Sequence, residues 1–213
     1  MKGIFDIDNP VMTWVIRIFD GICASILWLL FSLPVVTLGA SSAALYTTVY
    51  RYLRREEGHL WKTFWGAFRE NLRRSTLVWL VNAAVLGLLV VDALVFRTMA
   101  LAVNPFGKIY WVALVLCCIA ITWTAYLSAY AARFRGSVRD VLRFASVLLA
   151  LHPAKAVCVF LPILCGAMLA ITAPGVMVII PTAVCWLDSI TLEKVFLLHM
   201  QPEDVEKTRR NPS

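Results

Sequence analysis

The stretch GICASILWLLFSLPVVTLGASSAALYTTVY, residues 21–50, decides how this chain is built. It contains no charged residue. Upstream, Asn9 can cap a helix and Pro10 suits its first position, where a missing N–H is no loss. That helix runs to about Leu33, with Arg17 and Asp20 near enough on one face to pair. Pro34 then breaks it, because the pyrrolidine ring collides with the carbonyl of Leu30 and offers no N–H. Val35, Val36 and Thr37 are stiff and poor helix formers. Gly39 supplies a turn, and Ser41 or Ser42 can cap a new helix reaching about Arg55. Two readings stay open. One is a single long kinked span; the other, preferred here, is a tight hairpin with a short second arm. Its roughly 15 residues would reach only about 23 Å of a 30 Å hydrocarbon core.

Composition places this hairpin in a membrane. Of 213 residues, 61% are hydrophobic and 15% charged, against roughly 45–50% and 25% in a soluble chain. A soluble domain cannot bury so much apolar side chain. A soluble enzyme, a secreted disulfide scaffold and a disordered tail are excluded. The net charge of +7 lies between apolar runs, so it reads as topology and attraction to anionic lipid rather than nucleic-acid binding. The acidic first twenty residues and the long uncharged run after them argue for a retained segment over a cleaved signal peptide. Cys23, Cys117, Cys118, Cys158, Cys165 and Cys185 sit in apolar runs without metal spacing. His59, His152 and His199 are scattered. No hydrolase, phosphate-loop, dinucleotide or zinc motif appears, so no catalytic residue, metal ligand or cofactor is assigned.

Further along, Trp61, Phe64, Trp65, Phe68 and Leu72 recur at helical spacing, opposite Lys62, Arg69, Glu70 and Arg73. This predicts a helix over 60–74 lying in the membrane interface. Trp61, Trp65, Phe68, Arg73 and Arg74 are its interfacial residues. Spans follow at 75–97 and 109–132. Ser137 and Asp140 form a capping-box pattern opening a second interfacial helix, 137–151, with Arg139 and Arg143 on its polar face. His152-Pro153 ends it. The uncharged run after Ala156 is too long for one span. Ala173-Pro174-Gly175 signals a turn, dividing it into spans at 154–172 and 176–199. The charged tail from Gln201 is expected to fray. The fold class is all-α: one polytopic transmembrane bundle over 1–213, with spans at 10–33, 40–55, 75–97, 109–132, 154–172 and 176–199 and two amphipathic helices on the cytoplasmic side.

The excess of Lys and Arg orients the chain. Segment 51–74 holds seven (Arg51, Arg54, Arg55, Lys62, Arg69, Arg73, Arg74). Segment 133–155 holds five (Arg133, Arg135, Arg139, Arg143, Lys155), and 97–108 holds Arg97 and Lys108. The first two segments and the C-terminus therefore face the cytoplasm. With the hairpin the N-terminus is also inside and there are six crossings; without it, five. The two basic segments also echo one another. Tyr46-xxx-Tyr50 precedes Arg54, Gly58 and an amphipathic helix; Tyr126-xxx-Tyr130 precedes Arg133, Gly136 and another. A paired docking surface and two ordinary interfacial anchors both account for this, and the second needs less.

The run Ser32-Leu33-Pro34-Val35-Val36-Thr37-Leu38-Gly39-Ala40-Ser41, followed by Ala44-Leu45-Tyr46, Glu56-Glu57-Gly58, Phe64, Phe68, Glu70 and Asn71, resembles the YesL family of bacterial membrane proteins. Arg133-Phe134 and the residues after it are similar to the matching part of that family, so the resemblance runs over nearly the whole chain. It implies a multi-pass plasma-membrane protein with a domain of unknown function, often encoded beside carbohydrate ABC-transporter and sugar-degradation genes. No catalytic residue is established for the family, and none is carried over.

Polar residues within spans are functional hypotheses by default. Asn82, Asp92 and Asp188 are the ligand-binding candidates, each with a plainer role. Asn82 serves as interhelical glue, Asp92 reaches water at the external end of its span, and Asp188 with Glu193 and Lys194 sits at a solvated helix end. Pro34, Gly39 and Ser41 form the structural motif. The sequence supports first a non-enzymatic accessory or regulatory partner of a carbohydrate uptake system, with the lipid bilayer and membrane subunits of a sugar transporter as partners. The alternative is a small permease in its own right; a membrane enzyme ranks last. Oligomeric state is open. Orientation is directly testable in a background without native cysteines. Asn104→Cys and Gly107→Cys should react with an impermeant thiol reagent in intact cells, and Glu57→Cys and Gly136→Cys should not. The reverse pattern would invert the topology.

Overall fold

The computed structural model describes residues 10–55, 58–101, 108–134 and 136–199. Among them every regular element is helical. The order is α1 (Pro10–Ser32), a 3-10 turn (Val35–Thr37), α2 (Leu38–Thr48) running into one π-turn (Val49–Leu53), and α3 (Leu60–Leu101). Then come α4 (Ile109–Arg133), α5 (Val138–Leu151), α6 (Pro153–Thr172), a second 3-10 turn (Pro174–Val178) and α7 (Ile180–His199). Asn9, Glu56, Glu57, residues 102–107, Arg135 and the residues from Gln201 on lie outside the described residues.

The break at Pro34 makes a hairpin. Pro34 is extended, with φ −74° and ψ 109°. The Thr37 N–H meets the Pro34 carbonyl at 2.8 Å, and the Thr37 hydroxyl lies 2.7 Å from the Phe31 carbonyl. Three side-chain bonds then tie the arms antiparallel: Ser32 to Ser41 at 2.7 Å, Trp28 Nε1 to Ser42 at 3.2 Å and Tyr52 Oη to Asp20 at 3.0 Å. Helix α2 restarts at Leu38, ahead of the serines expected to cap it. The correction has a simple cause. Ser41 lies inside the first turn, where its hydroxyl reaches the Leu38 carbonyl at 3.0 Å and Ser32 across the hairpin.

Helix α2 is the buried hub. Ala40, Ser41, Ala43, Ala44, Leu45, Tyr46, Thr47 and Thr48 are all buried. Small side chains let backbones come close, which drives association where lipid is as apolar as the protein. A Cβ on Gly39 would stand 2.4 Å from the Ser75 carbonyl oxygen and 2.5 Å from Trp79 Cβ. The same contact lets the Trp79 indole donate to the Val35 carbonyl at 2.8 Å, a second bond to an oxygen that already accepts from the Leu38 N–H.

Helix α3 differs from expectation. The interfacial helix at 60–74 and the span at 75–97 are joined in one 42-residue helix, about 63 Å long at 1.5 Å per residue. Between Ala67 and Leu86 the chain has neither Gly nor Pro, so the charges at Arg73 and Arg74 mark a change of surroundings and not a helix end. It begins after Gly58, whose φ of +84° favours glycine. Among the described residues four helices are long and apolar enough to cross a membrane: α1 from Val15, α3, α4 and α6. The two other expected crossings are of a different kind. Helix α2 has 11 residues, and α7 carries Asp188, Glu193 and Lys194.

Helix α5 begins as expected. Ser137 accepts from the Asp140 N–H, and the Asp140 carboxylate accepts from the Ser137 N–H at 2.9 Å and hydroxyl at 2.8 Å. Those donors hold the Asp140 carboxyl below its usual range. The contribution of this cap is thus present at neutral pH and is lost as pH falls through that lowered value. Val141, Ala145 and Leu148 pack into a core with Leu127 of α4 and Leu192 and Phe196 of α7.

The approach at Gly39 predicts an asymmetric response. Gly39→Leu should lower stability by about 3 kcal/mol or more, since backbone of α3 blocks the new side chain, while Leu38→Ile should cost less than about 1.5 kcal/mol. Thermal unfolding of the purified protein in detergent measures both. Equal losses would show that α2 and α3 do not meet there.

Candidate functional site

The polar residues of the bundle converge on α7. Glu193, expected at a solvated helix end, is 6% exposed. Its carboxylate is ion-paired with Arg133 at the last turn of α4 and accepts from Tyr46 Oη of α2 at 3.0 Å. A guanidinium at a helix C-terminus also faces the negative end of the helix dipole. The Arg133 guanidinium lies 4.7 Å from the ring centre of Tyr50, which Arg55 approaches at 4.5 Å. Arg54 donates to the Ser189 carbonyl at 3.2 Å and hydroxyl at 3.3 Å. Helices α2, α4 and α7 are thus locked by one charged node. The sequence places Tyr46, Tyr50 and Arg133 in the echo of Tyr-xxx-Tyr segments, with Arg133 also among the orienting charges, but nothing in it brings them together.

Asp188 has the other fate. It is 5% exposed, and its Oδ1 has no hydrogen-bond partner among the described residues. The solvated-end reading is corrected here: one turn of α7 turns this carboxyl inward. It lines a cleft of about 410 Å³ between the α1–α2 hairpin, α3, α4, α6 and α7, whose walls include Trp28, Trp79, Ile163 and Val184.

Asn82 is fully buried and donates to Thr124 of α4 at 2.8 Å, as interhelical glue should; its Oδ1 has no partner among the described residues. Asp92 is half-buried on α3, away from these groups. Pro34, Gly39 and Ser41 meet at the hairpin and its contact with α3.

The interfacial set divides. Trp61 and Trp65 are exposed, as are Arg73, Arg139 and Arg143. Phe68 is not: it is buried, 4.9 Å from the Phe31 ring centre and stacked with Phe64. The α1–α2 hairpin, docked on the first turns of α3, covers that side of the helix. Arg74 is not a lipid anchor either. It bonds the carbonyls of Ala131, Phe134 at 2.9 Å and Gly136 at 3.2 Å, and Asn71 Oδ1 at 2.8 Å. The Ala131 and Phe134 carbonyls end α4, where carbonyls lack intrahelical partners, and Gly136 lies in the link to α5. Spacing on one helix cannot reveal a cap supplied to another.

Residues 22–93 match the model of a family described as a protein of unknown function, DUF624. The match takes in the hairpin and most of α3, including the run Ser32–Ser41, and stops short of the region around Arg133. No curated protein and no solved structure matches the chain.

The charged node yields a double-mutant test. Glu193→Gln or Arg133→Met alone leaves one charge buried and should cost about 3–5 kcal/mol. Arg133→Met with Glu193→Leu should recover much of the loss, because an apolar pair needs no desolvation. Additive losses, measured by thermal unfolding in detergent, would show that the pair is not coupled.

Proposed function

We propose that this chain works by binding at its basic end, as a non-enzymatic accessory or regulatory partner of a carbohydrate uptake system of the ABC-transporter type. One observation carries the binding part: Arg74, about four turns into α3, fixes that helix to the link between α4 and α5. Exposed Trp61, Trp65 and Arg73 on α3 are thereby held in a set relation to exposed Arg139, Arg143 and Phe144 on α5. Aromatic and arginine side chains on a rigid base are good anchors for a protein partner. The carbohydrate part rests on the gene-neighbour association that the family resemblance implies. Four apolar helices support a multi-pass membrane protein. The charge rule puts the basic end, the C-terminus and, with the hairpin, the N-terminus in the cytoplasm. The partners in this reading are the bilayer and subunits of a sugar transporter, with no nucleic acid.

A small permease is the second reading. The cleft beside Asp188 favours it.

Cross-linking in native membranes, followed by mass spectrometry, should identify permease or solute-binding subunits of a sugar transporter. Arg139→Glu with Arg143→Glu should reduce that capture at least tenfold while changing stability by less than about 0.5 kcal/mol per site, as surface changes do. Capture undiminished by the double variant, or no transporter subunit among the cross-linked proteins, would refute the reading.

A further inference from the structure

Two acidic groups of α7 lie near one another in sequence, and only one is satisfied. Glu193 has Arg133 and Tyr46. Asp188 is 95% buried by the same measure, with Oδ1 unpartnered among the described residues, and it lines the cleft. Arg54, the other guanidinium bound to α7, is engaged by Ser189. A carboxyl in such surroundings calls for a proton or a cation.

The walls say which cation. A hard metal ion needs several oxygen ligands, and no group of three or more His, Cys, Asp or Glu side chains converges among the described residues. A bare sugar would leave most of its hydroxyls against apolar wall. The cleft offers Trp28, Trp79, Ile163, Ala167 and Val184 beside one carboxyl. The hydroxyls in its wall are engaged within the protein: Ser42 by Trp28, Tyr46 by Glu193, Thr124 by Asn82 and the Ala120 carbonyl, and Ser128 by the Ala125 carbonyl. Its volume of about 410 Å³ lies within the range of small-molecule sites. Ligand sites of this kind pair a broad apolar lining with very few placed polar groups.

We propose that this cleft binds an amphipathic primary amine, with the ammonium on Asp188 and the hydrocarbon body along α3, α4 and α6. An ammonium carries three donors and no acceptor, which suits a carboxylate oxygen with nothing to accept from. The inference stands on the cleft and not on the accessory reading. Partner capture can fail while amine binding holds, and the reverse.

Titration calorimetry with octylamine tests it, using the full chain in phosphatidylcholine nanodiscs and empty nanodiscs as the blank. The expected result is saturable binding at one amine per chain. Octanol should bind at least tenfold more weakly, and Asp188→Asn should weaken octylamine at least tenfold. Ala167→Phe, at an exposed wall position, should block the cleft and weaken it similarly. Octanol binding as tightly as octylamine would overturn the role of the ammonium, and so would unchanged octylamine affinity in Asp188→Asn. If Asp188→Asn does not fold, Ala167→Phe decides: unchanged affinity there would remove the cleft as the site.

Discussion

The bundle depends on how closely the backbone of α2 approaches α3 at Gly39. A single methyl there would stand 2.4 Å from the Ser75 carbonyl oxygen, so the contact exists only without a side chain. Even with the π-turn that carries it on to Leu53, α2 is marginal as an isolated helix and short for crossing a bilayer. Its stability has to come from neighbours on all sides. Its small residues let α1, α3, α4 and α7 come in together. The proline turn is what returns the chain to that position, and the Trp79 indole ties it to α3 through the Val35 carbonyl. Turn, glycine and small-residue helix therefore work as one device.

From this hub follows the placement of the charges. With α2 central, Tyr46 faces α7 and α4, and the Arg133–Glu193 pair is enclosed beside it. Such a pair adds little net stability over an apolar one of equal volume, since desolvation offsets most of the attraction. What it contributes is register: a charge left alone at that depth is costly, so the last turns of α4 and the middle of α7 have one arrangement in which neither is stranded. Arg74 does the corresponding work for α3 and the end of α4, through carbonyls in place of a carboxylate. Both devices sit at the basic end.

The sequence shows the local features well and the long-range ones poorly. Pro34, the Ser137–Asp140 cap and the Ala173-Pro174-Gly175 turn all mark real changes in the helices, because each acts within a few residues. Phe68 and Arg74 were misjudged for a single reason. Periodicity tells which side chains share a face of a helix, but not whether lipid or another helix covers it. Phe68 belongs to the same stripe as Trp61 and Trp65, yet the hairpin covers only part of that stripe. The continuity of α3 was obscured by its charges, which change the surroundings without interrupting the hydrogen bonds. Asn82 was legible, since a buried amide must find a partner. Asp188 was not, because neighbouring Glu193 and Lys194 gave the whole segment the look of a wet helix end.

That last misreading bears on what the protein can do. Helix α7 divides its polar groups between two environments: Glu193 and Ser189 join the charged node, and Asp188 turns to the cleft. A purely structural helix would gain by an apolar residue at 188, since nothing in the described residues bonds its Oδ1. A site whose partner comes from outside needs such an incomplete group, and strain or an unmet bond in a native structure is commonest where function is. At the basic end by contrast the Glu193 carboxylate is paired with Arg133 and Tyr46, and the exposed residues include Trp61, Trp65, Arg73, Arg139 and Arg143. The two proposals therefore give these regions different kinds of partner, a protein for the surface and a small amphiphile for the cleft. Helix α7 contacts both, so a ligand in the cleft and a partner at the basic end would act on the same rigid element. Coupling between them would require the two to prefer different positions of α7.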